Sequence, residues 1–260
     1  MASSSFVTLL LISSFLSFSH IRVSEAATAP IVKGLSWTFY DSSCPKLESI
    51  IRKELKKVFD KDIAQAAGLL RLHFHDCFVQ GCDASVLLDG SASGPSEKDA
   101  PPNLTLRAQA FKIIEDLRSQ IEKKCGRVVS CADITAIAAR DAVFLSGGPD
   151  YELPLGRRDG LNFATRNVTL DNLPAPQSNT TAILNSLATK NLMNRQGLFF
   201  SDQSLFFEKF VVAMLKMGQL NVLTGSQGEI RANCSVRNAD KKKSFLTTVV
   251  EEVVEELIEM

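Results

Sequence analysis

Imidazole is scarce in this chain. Its 260 residues include three histidines, His20, His73 and His75, so a metal or cofactor site has few to draw on. Neither sign of charge is in excess, because 29 Lys and Arg face 29 Asp and Glu. A nucleic-acid surface needs surplus cations to displace counterions from phosphates, so no nucleic-acid partner is expected. Trp37, Tyr40 and Tyr151 accompany sixteen phenylalanines, a balance that favours core packing over stacking platforms. No apolar run reaches the roughly 20 residues that cross a bilayer. Runs of alternating apolar and polar residues, the mark of half-buried strands, are missing as well.

What is present begins with a leader. Phe6 to Phe18 is apolar apart from three serines and a threonine, and Ser24-Glu25-Ala26-Ala27 offers small residues for cleavage. That pattern is a secretory signal over residues 1–27, although no charge precedes the apolar run. A buried N-terminal helix is the competing reading, and the lack of a polar face counts against it. His20 leaves with the signal. Six cysteines, Cys44, Cys77, Cys82, Cys125, Cys131 and Cys234, then imply three disulfides in an oxidising compartment. Sequence alone permits fifteen pairings, with Cys77 to Cys82 the most local. A metal cluster is the alternative, opposed by secretion and by the lack of CxxC pairs. Sequons at Asn103, Asn167, Asn179 and Asn233 agree with passage through the secretory pathway.

Helical periodicity dominates the rest. Leu47, Ile50, Ile51, Leu55, Val58 and Phe59 form one apolar stripe after Pro45, a good first-turn residue. Further helices are predicted over 62–78, 108–121, 132–145 (closed by Gly147-Gly148), 181–192 and 204–220. Residues 90–103 and 150–177 are rich in Gly, Pro, Ser and Asn, which predicts loops. The domain over 28–238 is therefore all-α with long loops. From Lys241 the character changes, with apolar pairs at Phe245/Leu246, Val249/Val250, Val253/Val254 and Leu257/Ile258 and glutamates between. This extension, 239–260, is an amphipathic helix with its lysines first and its glutamates last, against the helix macrodipole. It is either a solvated extension or a helix for a sorting receptor or partner.

The densest chemistry lies in Arg71-Leu-His73-Phe-His75-Asp76-Cys77-Phe-Val79-Gln-Gly81-Cys82-Asp83-Ala-Ser85. Four residues apart on a helix, Arg71 and His75 share a face, while His73 points away. The two histidines therefore cannot grip one metal together. A neutral imidazole beside a guanidinium can take a proton from a bound acid and return it to a leaving group, while the cation offsets developing charge. Asp76, Asp83 and Ser85, around a loop closed by nearby cysteines, offer hard oxygens suited to calcium. The spacing is not that of an EF-hand. A solvated acidic loop without an ion is the other reading.

At this point the stretch RLHFHDCFVQGCDASVLLD resembles the distal haem-side motif of the secreted plant haem peroxidases. The likeness continues through Phe39–Pro45, Ser96–Ala100, Val129–Asp133, Pro154–Asp159, Asn172–Pro176, Gly197–Phe199, Phe207–Phe210, Met217-Gly218 and Gly228–Cys234. It implies an all-α, haem-peroxidase-like domain in which hydrogen peroxide oxidises small phenolic reductants. It implies His75 as distal acid–base, Arg71 as stabiliser, Phe74 as a haem-pocket wall, and Asn103 as the partner that keeps His75 basic. An asparagine in that role should escape glycosylation, leaving the other three sequons to be used. The resemblance also implies calcium held by Asp76, Asp83, the Ser85 side chain and the carbonyls of Val79 and Gly81. Glu97 links that ion to the pocket, and the Pro174 carbonyl helps hold reductants. The implied bridges are Cys44–Cys125, Cys77–Cys82 and Cys131–Cys234.

One part of the family pattern is absent. The proximal histidine of the Ser-Gly-Gly-His-Thr motif, which holds the iron of haem b, is missing after Leu192. So are its orienting aspartate, a second calcium site and a fourth disulfide. The chain runs from Leu192 through Met193 directly to Gln196-Gly197, a segment that normally lies much later, and a smaller gap falls at 203/204. No haem axial ligand is assigned. Met193 and His75 are the candidate substitutes, and neither has a supporting shell. The gaps leave the domain incomplete on the proximal side, with apolar helix faces exposed. The alternative to an active peroxidase is a truncated or alternatively spliced family member without a competent haem site. Secretion is the expected localisation, with the vacuole, reached through the C-terminal extension, as alternative.

Overall fold

A computed structural model describes residues 30–90, 94–192 and 203–240. The leader, Met193, the stretch Gly197–Phe199 and the extension from Lys241 lie outside the described residues. Seven α-helices occupy the described chain: α1 Leu47–Phe59, α2 Ala64–Val79, α3 Ala108–Cys125, α4 Cys131–Leu145, α5 Arg166–Asn172, α6 Thr180–Thr189 and α7 Gln203–Met217. Short 3-10 turns cover Ser85–Leu87 and Glu97–Asp99. Among the described residues extended pairing is confined to isolated bridges, such as Ser36 with Leu155 and Asp159 with Glu229. The expected all-α class holds.

Each helix forms for a local reason. In α1, Leu47, Ile51, Leu55 and Phe59 recur at four-residue intervals and are all buried, while Glu48 opens the helix and Lys56 and Lys57 close it. That charge order complements the macrodipole. α4 begins where the Ser130 side chain accepts the Asp133 amide, and every residue from Cys131 to Ala142 is buried. Alanines at 132, 136, 138, 139 and 142 let neighbouring backbones come close. α2 packs along α4, and α1 and α3 flank that pair. The main core, including Ile51, Leu55, Leu69, Leu72, Ile114, Leu117, Ile134 and Ile137, lies between them. The bridges Cys44–Cys125, Cys77–Cys82 and Cys131–Cys234 all form, with Cα separations of 5.3, 4.0 and 5.7 Å.

The predicted helix boundaries at 62–78, 108–121, 132–145, 181–192 and 204–220 each fall within a few residues of the observed ones. The predicted loops need correction. The stretch 150–177 contains α5, and 90–103 contains the turn Glu97–Asp99. α5 buries only Thr169, so it has no apolar stripe to read, and its one signal is Thr165, whose side chain caps the Val168 amide. The Glu97–Asp99 turn is held by a reciprocal capping box between Ser96 and Asp99.

A second apolar cluster joins the end of α2 (Cys77, Phe78, Val79) to Leu173, Leu192, Met214 and Met217. Phe74, Leu187 and Phe210 sit half-buried at its edge. Beyond it packing thins. α6 buries no residue, and Leu205 and Phe206 on α7 are 39% and 47% exposed. Apolar helix faces are thus exposed among the described residues, as the gap in the family pattern leads one to expect. No described helix is long and apolar enough to cross a membrane.

Candidate active site

α2 delivers Arg71 and His75 to one face, as their spacing predicts. Arg71 Nε donates to His75 Nε2 at 3.2 Å. The rest of the guanidinium is anchored by the turn before α3, donating to the carbonyls of Thr105 (2.7 Å) and Pro102 (3.2 Å) and to Thr105 Oγ1 (2.7 Å). On the far side of the ring, His75 Nδ1 lies 2.6 Å from Asn103 Oδ1. Asn103 spends its Nδ2 on the Glu97 carbonyl at 2.9 Å, so its oxygen must face the imidazole. Nδ1 therefore carries the proton and Nε2 the lone pair. Burial pushes the His75 pKa down and the Arg71 charge adds to this, against the opposing pull of the Asn103 bond. The result is a neutral base aimed at a fixed cation. An incoming O–H that uses Nε2 takes the place of the Arg71 Nε donor.

His73 faces the other way. It is buried against the Cys77 sulfur, 3.5 Å from Nδ1. Burial, helped by the Arg157 charge, holds its pKa down at about 3. The ring lies within 4.8 Å of both Cys77 and Cys82 sulfurs, but those sulfurs are bonded to each other and supply no thiolate. The metal-cluster alternative for the cysteines is removed.

Below α2 the carboxylates converge. Asp76, Asp83 and Glu97 are all buried, as is Ser85. Asp76 Oδ2 accepts the Ala84 amide at 3.0 Å, Asp83 Oδ1 the Ser85 amide at 3.0 Å, and Glu97 Oε2 the Ala164 amide at 3.1 Å. Asp76 Oδ1, Ser85 Oγ and Glu97 Oε1 have no hydrogen-bond partner among the described residues. Burial, then the Asp83 charge, pushes the Asp76 pKa well up. Burial likewise raises Asp83 and carries Glu97 to about 7. Orphaned oxygens on buried carboxylates are costly unless a cation completes them. The donor set is all hard oxygen, so it fits calcium. Val79 ends α2, and Gly81 follows at φ +128°, packed so closely on Asn221 that a side chain would overlap it.

Phe74 packs against Phe78 with the rings tilted 38° and centroids 4.1 Å apart, and meets the His75 ring edge-on at 5.7 Å. Pro174 is half-buried directly after Leu173, which belongs to the same apolar cluster as Phe78. Among the described residues neither histidine is placed to hold haem iron, and Met193 lies outside them. His73 is sealed against the disulfide, and His75, the other described histidine, has both ring nitrogens engaged. Residues that the sequence did not single out also serve the site: Ala164 through its amide, and Gly160 and Arg231 through contacts with the Asp83 loop. Arg231 drew notice only as part of a motif. No periodicity marks any of the three.

An Arg–His–Asn relay on a helix wall above a buried acidic loop can move a proton beside a fixed cation, chemistry of use to an oxidoreductase. Family comparison agrees, since a model described as peroxidase matches residues 51–199. Similar proteins include "Peroxidase 12" of Arabidopsis thaliana, 47% identical over 324 positions covering 89% of each chain. "Cationic peroxidase SPC4" of Sorghum bicolor is 40% identical over 327 positions, covering 89% of this chain and 90% of the relative. The chain belongs to the peroxidase family of plants, haem-dependent oxidoreductases that act on hydrogen peroxide. Because 89% of 260 residues is about 231, some ninety of the 324 aligned positions have no residue here.

Proposed function

We propose that Arg71, His75 and Asn103 are the peroxide-handling residues of a secreted peroxidase that oxidises small phenolic donors. The observation that carries this is the relay from the Glu97 carbonyl through Asn103 to His75 Nδ1, which leaves Nε2 as the base. Nε2 would take the proton from the near oxygen of peroxide and return it to the far oxygen, which leaves as water, with haem b supplying the two electrons that break the O–O bond. Arg71, fixed by Pro102 and Thr105, offsets the negative charge that builds there. Phe74 lines the pocket, and the Pro174 carbonyl accepts a donor hydroxyl. Asp76, Asp83, Ser85 and the carbonyls of Val79 and Gly81 hold calcium. Glu97 reaches towards that ion with its free oxygen and supports Asn103 with its carbonyl. Haem b is the cofactor of this reading. Secretion follows from the leader over 1–27 and the three disulfides, and the extension over 239–260 is a candidate sorting or partner helix.

A second reading rests on the histidine arithmetic. With no imidazole left to hold iron, the chain is a family member that keeps a calcium-tied distal half and is catalytically silent. Haemin titration of the secreted chain separates the two. The peroxidase reading expects a retained Soret band and peroxide-dependent guaiacol oxidation, with His75→Leu slowing the reaction by about 10²–10⁴-fold. A chain that binds calcium but retains no haemin overturns it.

A further inference from the structure

Asp83 is held from outside its own loop. The Gly160 amide donates to the Asp83 carbonyl at 2.8 Å. A Cβ built on Gly160 would overlap Asp83 Oδ2 and lie 2.9 Å from its Cγ. Gly160 is not in the left-handed region of φ, so its backbone would accept alanine without strain. The only close obstacle to a side chain there is the Asp83 carboxylate. Gly160 is itself clamped by Arg231, which is fully buried. One guanidinium nitrogen donates to the Gly160 carbonyl at 2.6 Å. The other donates to the carbonyls of Ala84 at 2.7 Å and Cys234 at 3.1 Å. Ala84 is one of three described non-glycine residues with positive φ, at +59°. That turn places Asp83 and Ser85 on either side of it, and its amide is bound to Asp76. Arg231 thus ties the strained turn to the glycine beneath the carboxylate.

We propose that Gly160, clamped by Arg231, is the positioning residue that sets the Asp83 carboxylate for the cation. The inference rests on the calcium reading above. Without the ion, Asp83 can swing away from a methyl group at 160, because a side-chain end is free to turn. With the ion it cannot, so the substitution falls on the bound state. Outer-shell changes of this kind lower metal affinity by roughly 10–100-fold.

The test is calcium titration calorimetry on the full secreted chain after chelation, with thermal midpoints in EDTA. Gly160→Ala should weaken calcium binding by roughly 10–100-fold while its midpoint in EDTA stays near wild type. Arg231→Lys, which cannot bridge both carbonyls in one plane, should also weaken binding. In an Asp83→Ala background Gly160→Ala should cost nothing further. Wild-type binding with unchanged affinity in Gly160→Ala overturns the inference alone. A wild type that binds no calcium overturns the calcium reading and this inference with it. Should Gly160→Ala fail to be secreted, recovery in the double variant supports the proposal, and failure of both refutes it.

Discussion

At the scale of single residues, burial decides charge. His73 is held near pKa 3 in the fold, whereas a free imidazole titrates at about 6.5. Between those values the unfolded chain binds the extra proton, so the stability present above about pH 6.5 is lost as pH falls. His73→Phe removes this linkage. The stability of the variant relative to wild type should therefore rise by about 1.4 kcal/mol per pH unit between about pH 6 and 4, measured by guanidinium unfolding. Parallel pH profiles would refute the assignment. Asn103 is a second case. Its side-chain nitrogen is buried and committed to the Glu97 carbonyl, while Asn167 and Asn179 are exposed. Peptide mass spectrometry of the secreted protein should find glycan on Asn167 and Asn179 and none on Asn103.

At the scale of elements, caps and stripes do different work. α4 is buried along almost its whole length, so its start is set by the Ser130 cap on the Asp133 amide and not by an amphipathic pattern. Ser130→Ala should cost about 1 kcal/mol of unfolding free energy in a denaturant titration, with the bridge pattern intact. The helices were legible in proportion to their apolar periodicity. α1 and α3 show their stripes in sequence because one face of each meets the core and the other meets water. α5 was invisible, because seven residues that bury only Thr169 carry no such contrast.

At the scale of the molecule, the two ends of the fold differ. The α1–α4 body is closed by a continuous core and three bridges. The α6–α7 side shows Ile183, Leu205 and Phe206 at the surface among the described residues. Exposed apolar side chains of this kind bind hydrophobic dyes. The native chain should enhance anilinonaphthalene sulfonate fluorescence, and the paired change Leu205→Ser with Phe206→Ser should reduce the signal. A native chain that binds no dye would show that this face is covered.

Arg71, His75, Asp76, Asp83 and the Cys77–Cys82 pair were readable because helical spacing and a short closed loop place them by local geometry, whereas the other two bridges came only from the family resemblance. The shortage of histidine was equally plain, and folding cannot supply an imidazole that the chain does not contain. The tertiary structure decided the rest. Which nitrogen of His75 is basic depends on Asn103 being turned by a carbonyl six residues earlier in the chain. The setting of Asp83 depends on Gly160 and Arg231, about 77 and 148 residues away in sequence. Such contacts carry no periodic signal, because they are made by single atoms brought together only after the helices have packed.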